Sequence, residues 1–118
     1  MKLLIVDDCL DAADSLAALL TDQGHEVQTA YSGIDALRIA AQFSPRFVLL
    51  DISMPGMDGR QVARRLRDKR TYGDVALIAL TALGDPEDIW TNKDAGFDFH
   101  VTKPALLSDL NLIMRGLM

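Results

Sequence analysis

The chain has a single cysteine, Cys9, in 118 residues, which excludes an internal disulfide framework. No second soft ligand stands nearby for a thiolate metal centre, so redox chemistry is a poor fit. Long apolar runs are missing too. The opening MKLLIV is cut off by Asp7 and Asp8 before it reaches the length of a signal h-region, and no later run is long enough to span a bilayer. The reading is therefore of a cytoplasmic chain that is neither exported nor inserted in a membrane. Positive charge is scarce, with 12 Lys and Arg against 17 Asp and Glu and a net charge of −5. That balance argues against broad nucleic-acid binding, which needs clustered cations. The one basic cluster, Arg60 to Arg70, reads as a solvated helix face, because Val62, Ala63 and Leu66 sit among the charges at helical spacing.

What is present is an ordinary globular composition, 49% hydrophobic and 25% charged, with length for one domain and one core. Short apolar runs alternate with longer stretches of helical period. Leu3 to Val6 predicts a buried strand, and Leu10, Ala13, Leu16, Ala17 and Leu20 then recur at three and four, a helix stripe ended by Gly24. Glu26 to Ala30 predicts a second strand. Ser32-Gly33-Ile34-Asp35 has the form of a capping box opening a helix through Ala36, Leu37, Ala40 and Ala41, closed by Pro45. Phe47 to Leu50 predicts the third strand, Gly59 to Arg67 a third helix and Ala76 to Leu80 a fourth strand. Asp85-Pro86 fits a cap with proline at the first helical position, so Glu87 to Ala95 reads as a fourth helix terminated by Gly96. Asp98 to Val101 is the fifth strand, and Leu107, Leu110, Ile113, Met114 and Leu117 mark the last helix. Strands that are apolar throughout are buried on both faces, the mark of a parallel sheet covered by helices. The pattern is that of a (βα)5 domain filling residues 1–118, with no linker or repeat.

In such a sheet the residues beyond the carboxyl ends of the strands meet in one crevice. That rule gathers Asp7 and Asp8 after strand one, Asp51 at the end of strand three, Thr81 after strand four and Lys103-Pro104 after strand five. Asp51 stands in FVLLDISMPGMDG, at the end of a hydrophobic run and before a structure-breaking loop, so a rigid element holds it toward open space. Packed carboxylates repel one another unless a cation joins them, and a hard divalent ion with oxygen ligands meets that need.

LLIVDD, LLDISMPGMDG, ALIALTA and HVTKP together resemble the receiver domain of bacterial two-component response regulators, and the resemblance spans the whole chain. DAADSL and AGFDFHVTKP look most like receivers attached to hybrid sensor histidine kinases. The resemblance implies a flavodoxin-like (βα)5 three-layer sandwich with a five-stranded parallel sheet in the order 2-1-3-4-5. It implies Mg2+, with Mn2+ as a substitute, held directly by Asp8, Asp51 and the Ser53 carbonyl and through water by Asp7. Asp51 is then the nucleophile that takes a phosphoryl group from a phosphohistidine, on a sensor histidine kinase or a histidine phosphotransfer domain. Lys103 and Thr81 cover phosphoryl oxygens, and Pro104 aims the lysine through a bond that is typically cis in the family. The output is a switch in which Thr81 moves and a strand-five aromatic turns inward, altering the surface of the fourth helix, strand five and last helix, which also offers a homodimer face. The aromatic position here is His100, a departure that suggests either a substitute rotor or added pH sensitivity. Ser53 and Leu83 stand at the positions that tune phosphoryl lifetime, and an apolar Leu83 implies slow to moderate loss. Trp90 either packs under the domain or lies on the partner surface.

Two other readings compete. A phosphorylation-independent pseudo-receiver would share the shell, but would not require all of these chemical positions. A haloacid-dehalogenase-like phosphatase also uses a strand-end aspartate with magnesium, but usually needs a second aspartate two residues on, where this chain has Ser53.

Overall fold

The structure, a computed structural model, describes residues 1–54, 59–82 and 96–116. Five strands, β1 (Lys2–Val6), β2 (Glu26–Ala30), β3 (Phe47–Asp51), β4 (Ala76–Thr81) and β5 (Phe99–Thr102), form one sheet in the order β2-β1-β3-β4-β5. All four pairings are parallel. The helices are α1 (Leu10–Asp22), α2 (Gly33–Phe43), α3 (Gly59–Leu66), the single turn α4 (Lys69–Tyr72) and α5 (Leu107–Gly116). This is the flavodoxin-like α/β architecture that the alternation of apolar runs and helical stripes implies.

Side-chain alternation along each strand divides the core into two layers. Leu4, Val6, Val48, Leu50 and Leu77 point to one face and pack with residues of α2 and α3. Leu3, Ile5, Phe47, Leu49, Ile78 and Leu80 point to the other and pack with α1 and α5. Every residue of β3 and β4 is buried, whereas the edge strands β2 and β5 alternate or lie mostly exposed. The continuous apolar runs therefore mark the sheet centre, and the mixed runs its edges.

Local chemistry sets the element ends. Gly24 lies at φ +95, and the Gly24 and His25 N–H groups donate to the Thr21 and Leu20 carbonyls, closing α1 in a left-handed turn that a side chain would strain. Ser32 caps α2 by accepting from the Asp35 N–H at 3.2 Å. The Asp35 carboxylate instead faces Arg38 at 3.8 Å, so only the serine half of the expected capping box is seen. A Cβ on Gly59 would lie 2.8 Å from the Ile52 Cα, so the first residue of α3 is keyed against the chain just after β3.

Two differences from the sequence expectation follow, and one expected element lies beyond what is described. β5 runs one residue later than Asp98 to Val101. The turn α4, capped by the Asp68 carboxylate accepting from the Arg70 N–H, was not anticipated, because four residues carry no readable period. The expected helix from Glu87 to Ala95, with Trp90, lies outside the described residues.

The basic cluster also needs correction at one position, since Arg67 is not part of a solvated face. Its guanidinium donates to the Val75 carbonyl at 2.9 Å, to the Gly96 carbonyl at 2.8 Å through Nε, and to Asp98 Oδ2 at 2.6 Å. Asp98 Oδ2 in turn accepts from the Leu77 N–H at 2.8 Å. One fork thus ties the end of α3 to the amino ends of β4 and β5, a use that suits arginine's fixed geometry. Replacing Arg67 by Ala should lower the unfolding free energy in urea by about 1–3 kcal/mol, the usual cost of leaving such acceptors without their donor. Arg67→Lys should recover only a minor part, and full recovery by lysine would show that charge alone is needed there.

Candidate phosphoryl-acceptor and metal site

The carboxyl ends of the central strands bring Asp7, Asp8, Asp51, Thr81 and Lys103 to one rim. Backbone hydrogen bonds continue past the strands and fix each position. Asp7 N–H donates to the Ala30 carbonyl at 3.1 Å, Ile52 N–H to Leu80 at 3.3 Å, and Lys103 N–H to Thr81 at 2.7 Å. The functional side chains are therefore carried on extensions of the sheet itself.

Two carboxylates are oriented by the same local device. Asp7 Oδ1 accepts from the Cys9 N–H at 3.0 Å, and Asp51 Oδ1 accepts from the Ser53 N–H at 2.9 Å. Each is an aspartate bonding to the backbone two residues on, a habit of this side chain at turns. Lys103 joins them, its ammonium 2.8 Å from Asp51 Oδ2 and 3.7 Å from Asp7 Oδ2. The Lys103–Pro104 peptide bond is cis, as the resemblance implies.

Asp7, Asp51 and Thr81 are buried, at 4%, 2% and 3% exposure, while Asp8 is exposed. One oxygen from each of Asp7, Asp8 and Asp51 falls within 4.8 Å of the others. Three carboxylates facing one ammonium leave two negative charges to be met when all are ionised. The strain shows in the titration of Asp7, whose pKa is raised above the ordinary 3.8 by burial and further by the Asp51 charge, against the opposing pull of the Cys9 N–H and Lys103. Burial works to lower the Lys103 pKa, but its contacts with Asp51, Asp7 and Asp8 outweigh it and hold the group above 10.5. An acidic oxygen cluster with unmet charge, held partly by rigid backbone, has the donor chemistry of a hard divalent cation site.

Thr81 Oγ1 lies 3.5 Å from the Val101 carbonyl on β5, a long contact directed away from Asp51. His100 is exposed, beside a surface groove shared with Leu106, Asp109, Leu112 and Ile113 on and before α5. Ser53 is exposed next to Asp51, and Leu83 lies outside the described residues. Beside the carboxylates, a cavity of about 490 Å³ opens between α1 and the β5–α5 connection, with Leu16, Leu19, Leu80 and Pro104 along it and Asp7 and Lys103 in its lining. Residue types alone did not single out the Cys9 N–H as the group that orients Asp7. The signal available was the spacing of two, which Asp51 and Ser53 share.

Known proteins show the same arrangement of chain. The response regulator MprA of Mycobacterium avium is 36% identical over 118 residues, covering 100% of this chain and 51% of that protein. The chain thus spans about half the length of the curated relatives it matches. The chemotaxis protein CheY4 of Vibrio cholerae superposes with a TM-score of 0.87 at 27% identity, covering 99% of this chain and 98% of that one. The receiver domain of the sensor histidine kinase PA1611 from Pseudomonas aeruginosa, solved with a magnesium ion in its active-site cleft, gives a TM-score of 0.84 at 28% identity, covering 98% and 94%. The family model for the response regulator receiver domain matches residues 3–115, and the chain belongs to that family, the receiver domains of two-component response regulators.

Proposed function

We propose that the domain accepts a phosphoryl group onto Asp51 from the phosphohistidine of a sensor histidine kinase or a histidine phosphotransfer domain, in a Mg2+-dependent reaction. The observation that carries this reading is the buried Asp51 carboxylate, held at one oxygen by a backbone N–H and at the other by the Lys103 ammonium. The Ser53 N–H is fixed by the chain and keeps Oδ1 in place. Lys103 reaches Oδ2 through a flexible stem, so Oδ2 is the oxygen that can be released to attack phosphorus. The new bond forms between Oδ2 and phosphorus as the phosphorus–nitrogen bond to the donor imidazole breaks. The electron pair stays on the imidazole nitrogen, which then takes a proton.

Lys103 remains beside the reacting oxygen and meets the charge that spreads over the phosphoryl group. Thr81 serves a second phosphoryl oxygen by turning its hydroxyl away from the Val101 carbonyl, together with the backbone N–H of the residue that follows it. Asp8, Asp51 and the Ser53 carbonyl would hold the ion, with Asp7 behind a water. When bound, Mg2+ neutralises the carboxylates and a phosphoryl oxygen. The apolar cavity along Leu16, Leu19 and Pro104 suits the donor helix that presents the phosphohistidine.

Two consequences are measurable. Acetyl phosphate with Mg2+ should add one phosphoryl group, seen by intact mass and lost with EDTA and in Asp51→Asn, while Lys103→Ala should slow the reaction roughly 10²-fold. An unmodified wild-type protein under every donor would leave a phosphorylation-independent binding module. The second concerns Asp7. A carboxylate whose folded pKa lies above its unfolded value binds protons more tightly when folded, so stability falls as pH rises from 3.8 through the raised value. Without metal, Asp7→Asn should therefore melt higher than wild type near neutral pH, yet gain less from added Mg2+. A lower metal-free melting temperature in Asp7→Asn would contradict the account in which burial and the neighbouring charge make the ionised Asp7 costly.

A further inference from the structure

Six of the chain's 12 basic residues, Arg60, Arg64, Arg65, Arg67, Lys69 and Arg70, lie between Gly59 and Gly73, where the only acid is Asp68. That short segment carries a net of +5 in a chain whose total is −5, which leaves −10 on everything else. The phosphoryl chemistry uses none of these residues.

The fold sorts them into two kinds. Arg67 turns inward and is neutralised by Asp98 and three carbonyl contacts. Arg64 and Arg65 stay exposed and meet no carboxylate among the described residues. Of the eight residues of α3, Gly59, Val62, Ala63 and Leu66 are buried, so its outward face is Arg60, Gln61, Arg64 and Arg65. Arg60 and Arg64 stand one turn apart along the helix, and the exposed Arg65 lies beside Arg64. Lys69 and Arg70 extend the ridge, and their contacts to Asp74 at 3.5 Å and Asp68 at 3.7 Å involve cations 78% and 94% exposed. Pairs of that kind are worth little and exchange readily.

We propose that the outward face of α3 and α4 is a docking surface for an acidic helical segment of a protein partner, separate from the phosphoryl-acceptor site. Arginine predominates, and its planar fork matches carboxylates bidentately. Cations one helical turn apart lie about 6 Å from one another along the axis, the spacing of carboxylates at i and i+4 on a facing helix. α3 is only about 12 Å long. A duplex or a bilayer would run past it onto a surface that is otherwise strongly negative, within the roughly 8–10 Å over which charge is felt at physiological salt. A helix of matching length stays on the ridge. Docking there is felt near the phosphoryl-acceptor strand, because α3 is keyed at Gly59 against Ile52, the neighbour of Asp51.

The test uses fluorescence anisotropy with a labelled helix-forming peptide bearing Glu at every i, i+4 position, its Gln counterpart, a random-sequence duplex DNA, and phosphatidylserine vesicles. The acidic peptide should bind wild-type protein in a salt-sensitive way, the Gln peptide should not, and Arg64→Glu/Arg65→Glu should weaken binding by about tenfold or more. The same double variant should retain its circular dichroism and its rate of phosphorylation by acetyl phosphate, so loss of docking is distinguishable from failure of the phosphoryl reading. The proposal is overturned by equal binding of the Gln peptide, by undiminished binding in the double variant, or by tighter binding of the duplex or vesicles. Sedimentation showing self-association that the double variant abolishes would also overturn it, assigning the ridge to a second copy, whose α1 carries Asp11, Asp14 and Asp22.

Discussion

Lys103 is the group on which the site depends, because three carboxylates at one edge of a sheet would otherwise drive one another apart or take up protons. Its ammonium lies 2.8 Å from Asp51 and 3.7 Å from Asp7, and those contacts outweigh the burial that would lower its own pKa. The compensation is incomplete. The Asp7 pKa stays raised above the ordinary carboxylate value, first by burial and then by the Asp51 charge, against the pull of the Cys9 N–H and Lys103. A site fully neutralised by its own side chains would have little affinity left for a divalent ion. One balanced by two lysines would compete with it.

The carboxylates tolerate this crowding because the backbone gives them no alternative. Asp51 ends a strand whose every residue is buried, and Ile52 is bonded across to Leu80 immediately after it. Asp7 is pinned by its own N–H to Ala30 and by its side chain to Cys9. Burial of β3 and β4 between two helical layers supplies the stability against which the local repulsion is set, each fully buried Leu or Ile contributing roughly 1.5–3 kcal/mol. Strain at the rim is small beside that sum, so the fold holds its acidic residues close.

The fold and the five chemical positions were legible because both rest on strong local signals. Buried parallel strands read as unbroken apolar runs, and a polar residue at the end of such a run, as with Asp51 and Thr81, is conspicuous. What was not legible depended on partners distant in sequence. Arg67 looks like its neighbours Arg64 and Arg65 in a helical stripe, and only the approach of Val75, Gly96 and Asp98 distinguishes it. The same holds for Asp35, which fits the capping-box spacing but faces Arg38. The Cys9 N–H was hidden for another reason: it is a backbone group, and residue identity says nothing about it. His100 was placed on strand five correctly, and its neighbour Val101 is the residue there that packs in the layer with α1 and α5.

Two cations stand at opposite ends of the sheet, and their chemistry differs as their tasks do. At the amino ends Arg67 spreads a rigid fork over carbonyls and a carboxylate, a geometry that any rotation of the side chain would break in several places at once. At the carboxyl ends Lys103 offers a compact charge on a flexible stem, which can leave one oxygen and follow another without losing its electrostatic value. Among the described residues the hydroxyl of Thr81, the last residue of β4, has only a long contact to the Val101 carbonyl. The fork at the amino ends is thus the firmer hold, and the contact of the Thr81 hydroxyl the looser one.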